Sequence, residues 1–229
     1  VVRAAIAWLL LTMSMPTPAA SPAVAAVGPG RAAAVAAAIA AIEHGLTATR
    51  YQHQPKIDAR KGVYLWDCSI MAAWILGRTA PEARRALGAD KPLARDFYRA
   101  IDQASADRPR RGWQRVTDPG ALVPGDVFAW LKPEAFKARH NTGHVGFVLG
   151  TPRRDPNHAG IWFMRIADAT TELHGNDSRP PGGEGGFGTA TIAFAARVGE
   201  DPIAYGWYGE GQDPGTFVTT RIVFGRVFR

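Results

Sequence analysis

The sequence predicts an α+β fold, with N-terminal helices packed on an antiparallel β-sheet. Three observations carry that prediction. Residues 31–104 hold apolar residues at helical spacing, as where Met71, Ala72, Ile75 and Leu76 follow Cys68 at i+3, i+4, i+7 and i+8. From residue 127 onward the pattern changes to short apolar runs bounded by Gly, Pro and Asp, which read as strands. Helices first and strands after is the element order of an α+β layout.

The 229 residues are 46% hydrophobic and 21% charged, enough apolar mass for one real core. The formal charge is +7, but the basic residues are scattered and no basic run alternates with aromatics. Charge alone is the only support for a nucleic-acid partner, and none is expected. A single cysteine excludes an intramolecular disulfide and a cysteine-based zinc site. No metal or cofactor is expected.

Taken in order, residues 1–25 read as a signal peptide. Arg3 is followed by an apolar run over 4–13, then Pro16, Pro18, Pro22 and the A-x-A pattern of Ala23 to Ala25. The expected location is therefore periplasmic or secreted, without a stable membrane anchor, since the run is too short to span a bilayer. Residues 26–50 read as an N-terminal helix and linker, with Val35, Ile39 and Ile42 on one helical face. Residues 51–62 are polar and contain Pro55, and read as a loop. Asp67 is placed to cap the helix that begins at Cys68 and ends near Gly77. Residues 81–87, with Pro81 in the first turn, and 93–104, with Leu93, Phe97, Tyr98 and Ile101 aligned, predict two more helices. A polar connector covers 105–112. Strands are predicted over 127–130, 144–150, 161–168, 189–197, 203–208 and 221–227. Between the third and fourth lies a Gly/Pro-rich loop, 171–188, which either walls a cleft or simply connects.

Cys68 on the first turn of a buried helix would feel free backbone N–H groups and the positive end of the helix dipole, both of which favour thiolate. A free core cysteine is the alternative, because Cys packs as a small hydrophobe. A nucleophile needs a base, and the base needs an orienting partner. Of six histidines, His144 opens a predicted strand and shares a face with Gly146 and Val148 by the period of two. Asp168 closes the next strand, where an apolar context makes its burial costly without a partner. A hairpin through 151–160 would put His144 and Asp168 at the same end.

The set Asp67-Cys68-Ser69 opening a helix, Pro124-Gly125-Asp126-Val127 opening a strand, Gly143-His144-Val145-Gly146 on the next and a polar residue on the one after resembles the NlpC-type cell-wall cysteine peptidases, which are papain-like enzymes. The stretches 141–145, 166–170 and 174–177 are similar to an uncharacterised bacterial branch of that superfamily. The resemblance implies a papain-like hydrolase domain over 51–229, with Cys68 as nucleophile, His144 as base and Asp168 as third residue. It further implies that a tyrosine, Tyr51 or Tyr64, joins Asp67 and Ser69 in holding a substrate amine, and that backbone N–H at Cys68 or Ser69 holds an oxyanion. The implied substrate is a peptide or amide bond, most simply in peptidoglycan. The chain departs from the family at Ile70, where Gly is usual, at Asp168, where His is commoner, and in the long gap from Cys68 to His144. An amidase of the CHAP type, a transacylase, and a silent module that binds wall peptides remain alternatives.

Overall fold

A computed structural model describes residues 30–134, 136, 141–197, 200–212 and 215–228. The expected leader, residues 1–25, lies outside the described residues, as does His140. Helix α1 (Ala32–Gly45) buries Ala32, Val35, Ile39 and Ile42, the face its apolar spacing predicts. It is tied to the rest of the fold by Arg31 N donating to Val227 O at 2.7 Å, and its apolar residues join the main core. The segment expected as a helix and linker therefore contributes core.

Strands β1 (Ala48–Tyr51), β2 (Lys56–Asp58) and β3 (Val63–Trp66) form a small sheet in the order β1-β3-β2. The polar stretch expected as a loop thus carries a strand. Its three residues are exposed or half-buried, so no apolar alternation marks them. Helices α2 (Cys68–Thr79), α3 (Pro81–Arg85) and α4 (Ala94–Asp102) follow. Eight main strands then build one antiparallel sheet: β4 (Trp113–Val116), β5 (Val127–Leu131), β6 (Gly143–Val148), β8 (Ile161–Thr170), β9 (Gly186–Ala195), β10 (Ala204–Gly206), β11 (Val218–Thr219) and β12 (Ile222–Val227), with short β7 (Arg153–Arg154) paired to β8. Their order is β11-β10-β9-β8-β6-β5-β12-β4.

The sheet separates two cores by simple alternation. Val127, Ala129, Val145, Phe147, Ala167 and Val223 face α1, α2 and α4, meeting Ile39, Met71, Ile75 and Phe97. The intervening Phe128, Trp130, Val148, Ile166, Ile192, Phe194, Ile222 and Phe224 pack against each other on the other face. Phe194 on β9 reaches Phe224 on β12 at 5.7 Å between ring centroids, although β8, β6 and β5 lie between those strands. Twist has coiled the sheet until its concave face closes on itself. Backbone bonds from Thr220 N to Ile203 O and from Ile222 N to Pro202 O, at 3.0 and 2.9 Å, tie the two sides together. Helix α2 packs against β6 and β8, and this brings its N-terminus to the strand ends.

Candidate active site

The N-terminus of α2 is set by Asp67, whose extended backbone leads out of β3. Its Oδ1 accepts from Ile70 N and from Ser69 Oγ, both at 2.8 Å. This cap satisfies one first-turn N–H and leaves the others free to meet an anion. Cys68 follows directly, 6% exposed, on the wall of a cleft of about 1150 Å³.

His144 enters from β6. Phe147 pairs with Ala167 and Val148 with Ile166, and continuing that register sets Gly146 opposite Asp168. His144 and Asp168 then share a sheet face, two residues off register, within a side chain's reach. His144 Nε2 lies 2.8 Å from Asp168 Oδ2. Nδ1 is the nitrogen that Asp168 does not engage, and Cys68 lies near enough for its charge to act on the imidazole. Burial works against a charged imidazole. The Cys68 charge, then the hydrogen bond and charge of Asp168, outweigh it, raising the His144 pKa from 6.5 to about 9. Gly146 shares that sheet face with His144. A Cβ there would sit 2.5 Å from the Phe128 ring and 2.8 Å from Ala167 O, so the glycine makes room for core.

Asp168 is fully buried, and its other partners come from the loop before β9. His174 Nε2 lies 2.8 Å from the same Oδ2, and Arg179 Nη1 donates to Oδ1 at 2.8 Å. Asp177 fixes the clamp, accepting from Arg179 Nε at 2.9 Å, Arg179 Nη2 at 2.7 Å and His174 N at 2.9 Å. Gly188 stands opposite Asp168, where a Cβ would meet Arg179 Nε at 2.7 Å. Burial raises the Asp168 pKa, but the His174 charge, the two imidazole hydrogen bonds and the Arg179 charge hold it well below the usual carboxylate range. His174 stacks on Trp207 with centroids 4.2 Å apart, and its Nδ1 is buried without a partner among the described residues. Sequence reasoning missed His174, Asp177 and Arg179 as site residues. The available signal was the need of a buried aspartate for several donors, set beside a loop that holds His, Asp and Arg. The loop also supplies Thr171 and Glu172 to the cleft wall.

His144, Asp168 and His174 offer three donor atoms within 4.8 Å of one another, the only grouping among the described residues that could hold a metal. The carboxylate already bonds both imidazoles, and Arg179 places a second positive charge on its other oxygen. These atoms satisfy one another as hydrogen-bonding partners, and a cation would have to break that set.

Tyr51, Asp67 and Ser69 all line the cleft beside Cys68. His53 joins them, its Nδ1 2.9 Å from Asp67 Oδ2 and its ring edge-on to Tyr51 at 5.5 Å. Burial, then the charges of Cys68, Asp67 and Asp168, push the Tyr51 phenol up, so it stays a neutral donor. Tyr64 is not brought to the cleft. It shares the inward face of β3 with Trp66, 5% exposed, and packs on Trp66 and Trp74 at 4.8 and 5.8 Å. Of the two tyrosines, Tyr51 alone is in position to touch a substrate.

No family model and no solved structure matches the chain. It is 24% identical over 184 residues to an uncharacterized protein of Acanthamoeba polyphaga mimivirus, covering 69% of this chain and 78% of that protein.

Proposed function

We propose that the chain is an exported papain-like cysteine hydrolase that cleaves peptide or amide bonds through Cys68, His144 and Asp168, with peptidoglycan stem peptides as the first substrates to try. The observation that carries this reading is one imidazole held by a buried carboxylate beside the chain's one thiol. Nε2 meets the charged Asp168, and the Cys68 thiol, at a helix N-terminus on the wall of the same cleft, is near enough for its charge to act on the ring.

In this reading Cys68 Sγ attacks the carbonyl carbon as thiolate, and backbone N–H groups at the start of α2 receive the oxyanion. The C–N bond breaks as the departing nitrogen takes the proton from His144 Nδ1. Water then attacks the thioester and returns a proton to Nδ1. The C–S bond breaks, the acid leaves and the thiolate–imidazolium pair is restored. Asp168 stays ionised throughout and orients the ring. Asp67 and Tyr51 face a substrate amine, which would compete with His53 for Asp67 Oδ2.

The test is hydrolysis of purified stem peptides by the full-length chain. Cys68→Ala should abolish it, and His144→Ala should lower kcat/KM by roughly 10²–10⁴-fold. Unchanged cleavage by Cys68→Ala would refute the nucleophile.

A further inference from the structure

We infer that the half of the cleft beside His144 is an aromatic leaving-group subsite, selecting amides whose departing amine carries an apolar, preferably aromatic, side chain. This inference rests on the cysteine-hydrolase reading above.

The two halves of the cleft differ in chemistry. The Cys68 side presents Tyr51, His53, Asp67 and Ser69, all polar or amphipathic. The His144 side presents rings. Trp130 stands opposite His144 in the β5–β6 ladder, with its ring centroid 5.0 Å from the imidazole. Tyr205 stacks on Trp130 at 4.3 Å, and Trp207 lies 4.5 Å from Tyr205. Val218, paired with Tyr205 across β10 and β11, extends the wall. These residues come from four elements, and all of them line the same cleft as Cys68.

Reaction chemistry assigns this wall to one part of the substrate. The nitrogen that leaves must take its proton from the imidazole, so the amine fragment lies on the His144 side of the scissile carbonyl. The acyl fragment, held by sulfur, lies toward Asp67 and Tyr51. The departing fragment therefore meets the partly exposed Trp207 and Val218, with the buried rings of Trp130 and Tyr205 backing that wall. Flat rings gain from apolar burial and from stacking. Charge points the same way: the lining includes Asp67 and Glu172 but neither Lys nor Arg among the described residues. An acidic departing fragment would meet Glu172, whose charge already acts on Tyr205, and no Lys or Arg among the described residues.

The return reaction tests the subsite without knowledge of the natural substrate. The full-length chain is acylated with alanine p-nitrophenyl ester, which releases p-nitrophenol and leaves an alanyl thioester on Cys68. An added amine then attacks the thioester carbonyl, gives its proton to His144 Nδ1 and displaces sulfur, in competition with water. Phenylalaninamide, alaninamide and glutamic acid α-amide are compared by the ratio of aminolysis to hydrolysis. Phenylalaninamide should exceed alaninamide by about tenfold or more, equivalent to about 1.4 kcal/mol, and the glutamyl amide should be poorest. Trp207→Ala should bring the two neutral amides within about threefold of each other, less than half of that energy. Because both products come from one thioester, slower acylation in a variant cancels from the ratio. Val218→Asp supplies a second variant should Trp207→Ala fold poorly, and it should lower the phenylalaninamide ratio in the same way. Equal ratios for the three amides in the unaltered chain would overturn the subsite and leave the hydrolase standing. Unchanged selectivity in both variants would overturn its assignment to this wall. A p-nitrophenol burst no larger than that of Cys68→Ala would overturn the hydrolase reading and the subsite with it.

Discussion

His144 carries three constraints at once: a carboxylate on Nε2, the charge of the nearby Cys68 thiol, and an apolar wall of Phe128 and Trp130 rings 6.0 and 5.0 Å away. The wall disfavours charge, and the two partners restore it, with Cys68 the largest contributor. Removing the thiol should therefore lower the imidazole pKa. An NMR titration of the His144 ring is expected to give a midpoint near 9 in the unaltered chain and a lower one in Cys68→Ala. The sign for stability follows from the raised value. His144 contributes stability that is fully present below its unfolded pKa of about 6.5 and lost as pH rises through about 9. The same deprotonation removes the acid that protonates the leaving nitrogen, so kcat/KM should fall on the alkaline side near pH 9. An unchanged ring titration in Cys68→Ala would mean that the thiol does not act on the imidazole.

At the scale of elements, the loop between β8 and β9 acts as a clamp as well as a wall. Arg179 and Asp168 are both buried, and Arg179 also holds Asp177 and Gly186 O. Arg179→Met removes one partner of a buried pair, which should cost about 3 kcal/mol in urea unfolding. It should also raise the Asp168 pKa, since the guanidinium charge is one of the causes that lower it. The stability owed to Asp168 is present above its unfolded pKa of about 3.9 and lost as pH falls toward its depressed folded value. In Arg179→Met that loss should begin at higher pH. Helix α1 makes a parallel case. Ile39 is 1% exposed in the main core, so Ile39→Ala should cost about 2–5 kcal/mol. Next to that helix Gly125 has φ +94°, and a Cβ there would run into the Ala32 carbonyl oxygen, so α1 docks only over glycine at this turn. A negligible cost at Ile39 would mean that α1 adds nothing to the stability of the core.

Across the whole molecule, the layered plan was legible because burial imposes periods on sequence. The faces of α1, α2 and α4 and strands β5, β6, β8, β9, β10 and β12 all carry them. Strands β2 and β4 were not legible. Lys56–Asp58 has no apolar alternation, and Trp113-Gln-Arg-Val116 is buried on both faces through polar side chains that find ionic and backbone partners. The coil of the sheet was equally hidden, since contacts such as Phe194 with Phe224 join strands far apart in the sheet. Cys68, His144 and Asp168 could be named because a nucleophile, a base and an orienting carboxylate would restrict residue type and position, whereas Tyr51, Asp67 and Ser69 were named from the family resemblance. His174 and Arg179 could not, because a loop gives no period from which to read which side chains turn inward. Tyr64 was ambiguous for the opposite reason: a tyrosine beside the nucleophile serves equally well as core.

The central claim is that Cys68 and His144 form one reactive pair, and alkylation tests it most directly. The rate of Cys68 carboxymethylation by iodoacetamide is measured from about pH 5 to 10 in the unaltered chain and in His144→Ala. An ordinary thiol, with a pKa of about 8.5, is less than about 1% ionised at pH 6. His144→Ala should slow the reaction of Cys68 at that pH by about tenfold or more. A rate that His144→Ala leaves unchanged across that range would contradict the pair.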